Sequence, residues 1–241
     1  MIEINHVTKK YDENKAAVSQ LDLSIPDGKI IGFLGPNGAG KSTTIKMITG
    51  ILPIDEGSIT INGHNISENP IEAKRSFGYV PDSPDQFLRL KGVEYLHFIA
   101  DLYEVPKDIR QEKIDRITKT FGIYNVLNDT IQTYSHGMRQ KIVITGVLLH
   151  DPDVWILDEP LTGLDPKSSY AVKEMMREHA AKGKTVFFST HVLEVVEQLC
   201  DEVAIIQEGT LQFYGTMDAM REKYQSDETL EHIFLELTEH E

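Results

Sequence analysis

The run Gly35-Pro36-Asn37-Gly38-Ala39-Gly40-Lys41-Ser42 matches the pattern G-x-x-x-x-G-K-[ST] in full. Its glycines let the backbone fold tightly, so that several N–H groups point at one anion. The helix expected to follow, opened by Lys41, Ser42 and Thr43, aims its positive end at the same place. Lys41 has the reach and charge for the terminal phosphates of a nucleotide, and the Ser42 hydroxyl suits a Mg²⁺ ion. A second group lies at Trp155-Ile156-Leu157-Asp158-Glu159, an apolar run closing on two acids. Acids at the C-terminal end of a strand sit where α/β sheets bind ligands. Asp158 is therefore expected to hold Mg²⁺ through water, and Glu159 to orient or deprotonate an attacking water. Solvated strand-end acids are the alternative, and the complete phosphate loop weighs against it.

Both groups need buried strands to carry them. Short apolar runs occur at Ile30-Ile31-Gly32-Phe33-Leu34, Val154-Trp155-Ile156-Leu157, Val186-Phe187-Phe188 and Val203-Ala204-Ile205-Ile206. Continuous runs of this length suit strands of a parallel sheet, covered on both faces. Helical patterns at 41–51, 167–182 and 192–198 lie between them, and the alternation predicts an α/β fold. Residues 1–25 and Ser58-Ile59-Thr60-Ile61, running into Asn62-Gly63, alternate instead and predict a smaller antiparallel sheet. From about 83 to 150 the pattern is helical, with Leu96, Ile99, Ala100 and Tyr103 at helical spacing, then Ile114, Ile117 and Phe121. The expected architecture is α/β: a P-loop NTPase (RecA-like) core with an antiparallel β subdomain and an inserted α-helical subdomain. It would span 1–220, followed by a C-terminal amphipathic helix or tail over 221–241 carrying Leu230, Ile233, Phe234 and Leu237.

Composition narrows the partners. The 241 residues include 24 Lys and Arg against 38 Asp and Glu, a net charge of -14, with no basic cluster. A nucleic-acid partner is disfavoured on that ground. Cys200 stands alone, so no intrachain disulfide is expected, as in a reducing cytosol. Met1-Ile2-Glu3-Ile4-Asn5 reads as a strand and not as a targeting segment. The longest apolar stretch, Ile142 to Leu149, is far short of the ~20 residues that cross a bilayer. Work at a membrane would need a separate polypeptide to cross it.

The phosphate loop is followed by the helical insert, Tyr134-Ser135-His136-Gly137-Met138-Arg139-Gln140, Leu157-Asp158-Glu159-Pro160, Gly163-Leu164-Asp165 and Ser189-Thr190-His191. In order and spacing this resembles the nucleotide-binding domain of ATP-binding cassette (ABC) proteins, over nearly the whole chain. The resemblance implies ATP and Mg²⁺ as ligands, and two such domains closing head to tail around two ATP molecules. Tyr11 would stack on adenine. Residues Gly35 to Thr43 would hold the phosphates, with Ser42, Asp158 and Asp82 around the metal. Ser135 and Gly137 would reach the γ-phosphate of the other domain. Asp165 would touch that domain, and Lys41, Glu159 and His191 would serve hydrolysis. Two departures stand out. The family signature Leu-Ser-Gly-Gly-Gln is Tyr134-Ser135-His136-Gly137-Met138 here, and Asp82 follows Gly78-Tyr79-Val80-Pro81 where the family has Gln.

The segment Thr229 to Thr238 is similar to the tail of ATP subunits from antibiotic and drug exporters. Such a subunit would sit peripherally on the cytoplasmic face of the membrane, receiving a helix of a polytopic membrane partner. The region offering Phe87, Leu88, Leu90, Tyr95 and Phe98 is the expected receiver. A non-transport ABC ATPase acting on ribosomes or DNA is the main alternative, but such relatives carry two cassettes, long insertions or basic surfaces. A GTPase should show Asn-Lys-x-Asp, and Asn14-Lys15-Ala16-Ala17 lacks the aspartate. A binding module without turnover is disfavoured by Glu159 and His191.

Overall fold

The computed structural model describes residues 1–12, 15–224 and 230–238, without the side chains of 235–238. Asn14, Thr229 and the Leu237 side chain lie outside the described residues. In chain order the first half comprises β1 (Ile2–Lys10), β2 (Ala16–Ile25), β3 (Ile30–Leu34), α1 (Lys41–Ile48), β4 (Glu56–Ile61), β5 (His64–Asn65), α2 (Pro70–Arg75) and β6 (Phe77–Val80). Three helices follow: α3 (Gly92–Leu102), α4 (Lys107–Thr120) and α5 (His136–Leu149). The chain then returns through β7 (Val154–Asp158), α6 (Pro166–Ala181), β8 (Thr185–Ser189), α7 (Leu193–Leu199), β9 (Glu202–Gln207) and β10 (Thr210–Gly215). Helices α8 (Met217–Tyr224) and α9 (Leu230–Thr238) end the described chain.

The strands form two sheets. The larger has the order β10-β9-β3-β8-β7-β6, and the smaller β2-β1-β4-β5. Strands β3, β7 and β8 are buried at all five of their positions, which is why their sequences show no alternation. They pair in parallel, β3 with β8 and β8 with β7, so their C-terminal ends meet at one edge. That pairing brings together the phosphate loop after β3, the acids ending β7 and Ser189-Thr190-His191 ending β8. In the smaller, antiparallel sheet Ile2, Ile4 and Val7 of β1 turn inward and pack with Ile45 and Met47 of α1.

Helices α3, α4 and α5 form the insert. Leu96, Ala100, Ile114, Ile117 and Phe121 join Val143, Val147, Trp155 and Leu157 in one apolar cluster, so the insert shares a core with the large sheet. Tyr103 stacks on His150 at 3.7 Å, fastening the end of α3 to the end of α5. Leu230 and Ile233 of α9 are buried beside Val196, Phe213 and Met220. Some elements carried no readable pattern. β6 is broken by Gly78, β10 is half-buried along most of its length, and α2 buries only Ala73. One expected docking residue is withdrawn from the surface: Tyr95 is 6% exposed, beneath Phe87, with ring centroids 5.6 Å apart.

Candidate nucleotide-binding site

The phosphate loop enters α1 through Gly40, whose φ of 106° is strained for any residue with a side chain. A Cβ there would also lie 2.6 Å from the Ala17 carbonyl oxygen of β2, so glycine alone lets the loop lie against the small sheet. Lys41 is buried, and its Nζ donates to the carbonyls of Gly35 at 2.6 Å and Pro36 at 3.1 Å. Those bonds fix the ammonium across the loop and leave one of its three N–H groups for a phosphate oxygen. Burial lowers the Lys41 pKa, while the negative charges of Glu159 and Asp158 act to raise it.

Asp158 is almost fully buried at the end of β7. Its Oδ1 accepts from Ser189 Oγ at 2.6 Å and from Ser42 Oγ at 3.3 Å. Burial first, then the charges of Asp158 and Asp82, push the Tyr79 phenol pKa up, so both carboxylates bear on one region. Among the described residues no cluster of three or more His, Cys, Asp or Glu could hold a metal by itself. A hydroxyl and a carboxylate beside a phosphate loop nevertheless fit Mg²⁺, which keeps several waters and takes one or two carboxylates plus substrate phosphates.

Glu159 follows β7 with φ of 48°, a left-handed backbone costing a residue with a side chain roughly 1–2 kcal/mol. Its N–H donates to Ser189 Oγ at 3.0 Å, and its carbonyl accepts from Thr162 N–H at 3.2 Å. The turn aims the carboxylate at His191, whose Nδ1 lies 3.0 Å from Glu159 Oε1.

A cleft of about 480 Å³ opens here, and Asp158 is buried outside its lining, reaching it through Ser42. Tyr11, Asn37, Gly38, Gly40, Lys41, Ser42, Thr43, Asp82, Glu159 and His191 all face it. Ala17 and Thr162 line it too, and no motif marks them. Gly35 and Pro36 act from behind through the carbonyls that hold Lys41, and Ala39 is buried under the loop. Tyr11 stands at the rim, 64% exposed, its hydroxyl 3.4 Å from Thr43 Oγ1.

Ser135, Gly137 and Asp165 do not line this cleft. Ser135 caps α5, its Oγ accepting from Met138 N–H at 3.3 Å. Asp165 caps α6, accepting from the Ser168 N–H at 3.0 Å and the Ser168 hydroxyl at 2.7 Å, and pairs with Lys141 at 2.7 Å. The bond from Lys141, then those from Ser168, hold the Asp165 carboxyl well below the usual carboxylate range. A Cβ on Gly137 would lie 2.5 Å from the Gly163 carbonyl oxygen, and one on Gly163 would meet the His136 ring at 2.6 Å. The start of α5 and the loop after Glu159 thus meet backbone to backbone. His136, a departure from the family pattern, covers Gly163.

A doubly covered parallel sheet with a phosphate loop, strand-end acids and a helical insert defines an ABC nucleotide-binding domain. The chain belongs to the ABC transporter family, whose model matches residues 18–162. It is 33% identical over 239 residues to the ABC transporter ATP-binding protein NatA of Bacillus subtilis, covering 98% of this chain and 97% of that protein. It is 35% identical over 216 residues to the linearmycin resistance ATP-binding protein LnrL of the same organism, covering 90% of this chain and 69% of that one. A solved ATP-binding subunit of an ABC transporter superposes with a TM-score of 0.94 at 31% identity, covering 98% of this chain and 99% of the other. The protein is the ATP-binding subunit of an ABC transporter, and such subunits are ATPases that work with membrane subunits. Among the described residues no helix is long and apolar enough to cross a membrane.

Proposed function

We propose that this subunit exports a substrate by driving a separate polytopic membrane protein through ATP-dependent closure of two cassettes. The observation that carries this is the separation of two sets of groups. The phosphate loop, Asp82, Glu159 and His191 share one cleft, while Ser135 and Gly137 lie off it at the capped start of α5. A helix start with N–H groups to offer stabilises an anion, and a second cassette has one to bring to this cleft. The pair is either two copies of this chain or this chain with a sister subunit.

Each residue then has a task. Tyr11 stacks on adenine, the loop N–H groups take the β-phosphate, and Lys41 meets the γ-phosphate. Ser42, with Asp158 and Asp82 through water, would hold Mg²⁺. When bound, that ion neutralises charge on the phosphate oxygens. Glu159 orients the attacking water and takes up its proton at Oε1 or Oε2, and His191 steadies both Glu159 and the γ-phosphate. Asp165 keeps the loop after Glu159 in place for contact with the other cassette.

Export is supported by the likeness to LnrL, a resistance protein. Peripheral attachment at the cytoplasmic face is supported by Phe87 and Phe98, each 45% exposed, with rings 5.6 Å apart. The test is copurification of the tagged protein from detergent-extracted membranes, with Phe87→Asp alongside. Phe87 has φ of 57°, a region aspartate tolerates better than phenylalanine, so the change adds no backbone strain. Recovery of a polytopic membrane protein with wild type, lost with Phe87→Asp at unchanged ATP binding, is expected. Ribosomes or DNA-bound proteins in its place would refute transport and favour the alternative.

A further inference from the structure

We propose that Ser189 is a positioning residue of the hydrolytic site, holding Asp158 and Glu159 in fixed relation through one hydroxyl. Ser189 acts through Glu159, so this role rests on the proposed function of Glu159. The residue ends β8, is fully buried, and stands opposite Asp158 in the parallel ladder with β7. Its Oγ donates to Asp158 Oδ1 at 2.6 Å and accepts from the Glu159 N–H at 3.0 Å. A hydroxyl has one proton to give and lone pairs to receive, so one rotamer of one side chain serves both neighbours.

Glu159 is held at both ends by the same strand terminus. Ser189 takes its backbone N–H, and His191, two residues further on, meets its side chain at 3.0 Å. A left-handed glutamate persists only where its surroundings over-determine it. The Ser189 bond fixes the entrance to that turn, and Thr162 closes its exit at the Glu159 carbonyl. Alanine at 189 would strand a part-buried N–H and remove the 2.6 Å bond to the Asp158 carboxylate. The turn could then relax out of the left-handed region, and the carboxylate that faces Ser42 could rotate. The Lys41 ammonium and the loop N–H groups are untouched, and only the Ser42 hydroxyl on the metal side faces the loosened carboxylate, so nucleotide binding and hydrolysis separate.

The experiment compares Ser189→Ala and Ser189→Thr, each alone and combined with Glu159→Gln. In Ser189→Ala, kcat should fall about tenfold or more, the effect of losing a hydrogen bond to a charged group, while KM for ATP stays within about twofold. Threonine keeps the hydroxyl and should restore most of the rate. In the Glu159→Gln background Ser189→Ala should lower the residual rate no further. There, a Mg²⁺ titration read by fluorescent ATP should give a several-fold weaker apparent Mg²⁺ affinity with alanine than with serine. A Ser189→Ala rate equal to wild type while Glu159→Gln is inactive overturns this inference alone. Equal slowing by alanine and threonine, or loss of nucleotide binding with the rate, assigns a structural role and also overturns it. Glu159→Gln at the wild-type rate instead overturns the function of Glu159 beneath it.

Discussion

Glu159→Gln isolates the chemical step because it changes so little else. Glutamine has nearly the same volume and can occupy the same left-handed backbone, and the bonds at the Glu159 N–H and carbonyl are untouched. The amide can still meet His191 Nδ1 across the present 3.0 Å. What disappears is a negative charge facing the cleft and a base for the attacking water. A positioned general base contributes about 10²–10⁴ in rate, or roughly 3–5 kcal/mol of barrier. ATP binding should hold or tighten, because a carboxylate that repels the triphosphate is gone. ATP should then accumulate unhydrolysed and keep two cassettes together. Phosphate release at saturating ATP measures the first effect, fluorescent-nucleotide titration the second, and light scattering with ATP and Mg²⁺ the third. A kcat within about threefold of wild type would show that Glu159 is no general base. A variant that stays monomeric at saturating ATP would refute closure.

Lys41→Ala removes the ammonium that spans Gly35 and Pro36, so ATP affinity should fall about a hundredfold, the scale of a lost charge-assisted contact; titration with fluorescent ATP checks it. Unchanged affinity would refute its phosphate role. Burial lowers the pKa of both His150 and His179 from 6.5 to about 4, so both are neutral in the fold. The unfolded chain binds more protons between those values, so stability is complete above about pH 6.5 and declines as pH falls toward 4. Each shift corresponds to roughly 3 kcal/mol at the acid end. Tm measured from pH 7.5 to 4.5 should drop, and His150→Gln or His179→Gln should flatten the drop. A Tm independent of pH would refute the burial argument.

The parts of the site that could be read in the sequence are those whose chemistry is local. A phosphate loop needs its glycines, lysine and hydroxyl within eight consecutive residues, and Asp158-Glu159 announces itself by ending an apolar strand. The apolar runs of β3, β7 and β8 were readable because burial on both faces leaves polar residues only at the strand ends. Contacts formed between distant segments left no trace. The run Ser189-Thr190-His191 helps carry the family resemblance, yet nothing in it points to the partners of the Ser189 hydroxyl, 31 and 30 residues away. Lys141 and Asp165 are 24 apart, and nothing in either segment points to the other. Thr162 and Ala17 reach the cleft through backbone placement, which residue type does not record. Tyr95 fits an exposed docking patch by composition, but its helical phase turns it inward under Phe87.

The left-handed Glu159 also bears on the order in which competence arises as the chain folds. The elements that grip phosphate are neighbours in sequence, within Gly35 to Thr43. The hydrolytic turn depends on Ser189 and His191, and through Asp158 on Ser42, which is 116 residues away. Contacts at such separation form late, once β3, β8 and β7 have found their register. On the role proposed for Glu159, hydrolysis therefore requires the register of β3, β8 and β7, and the strained glutamate ties the chemistry to the completed central sheet.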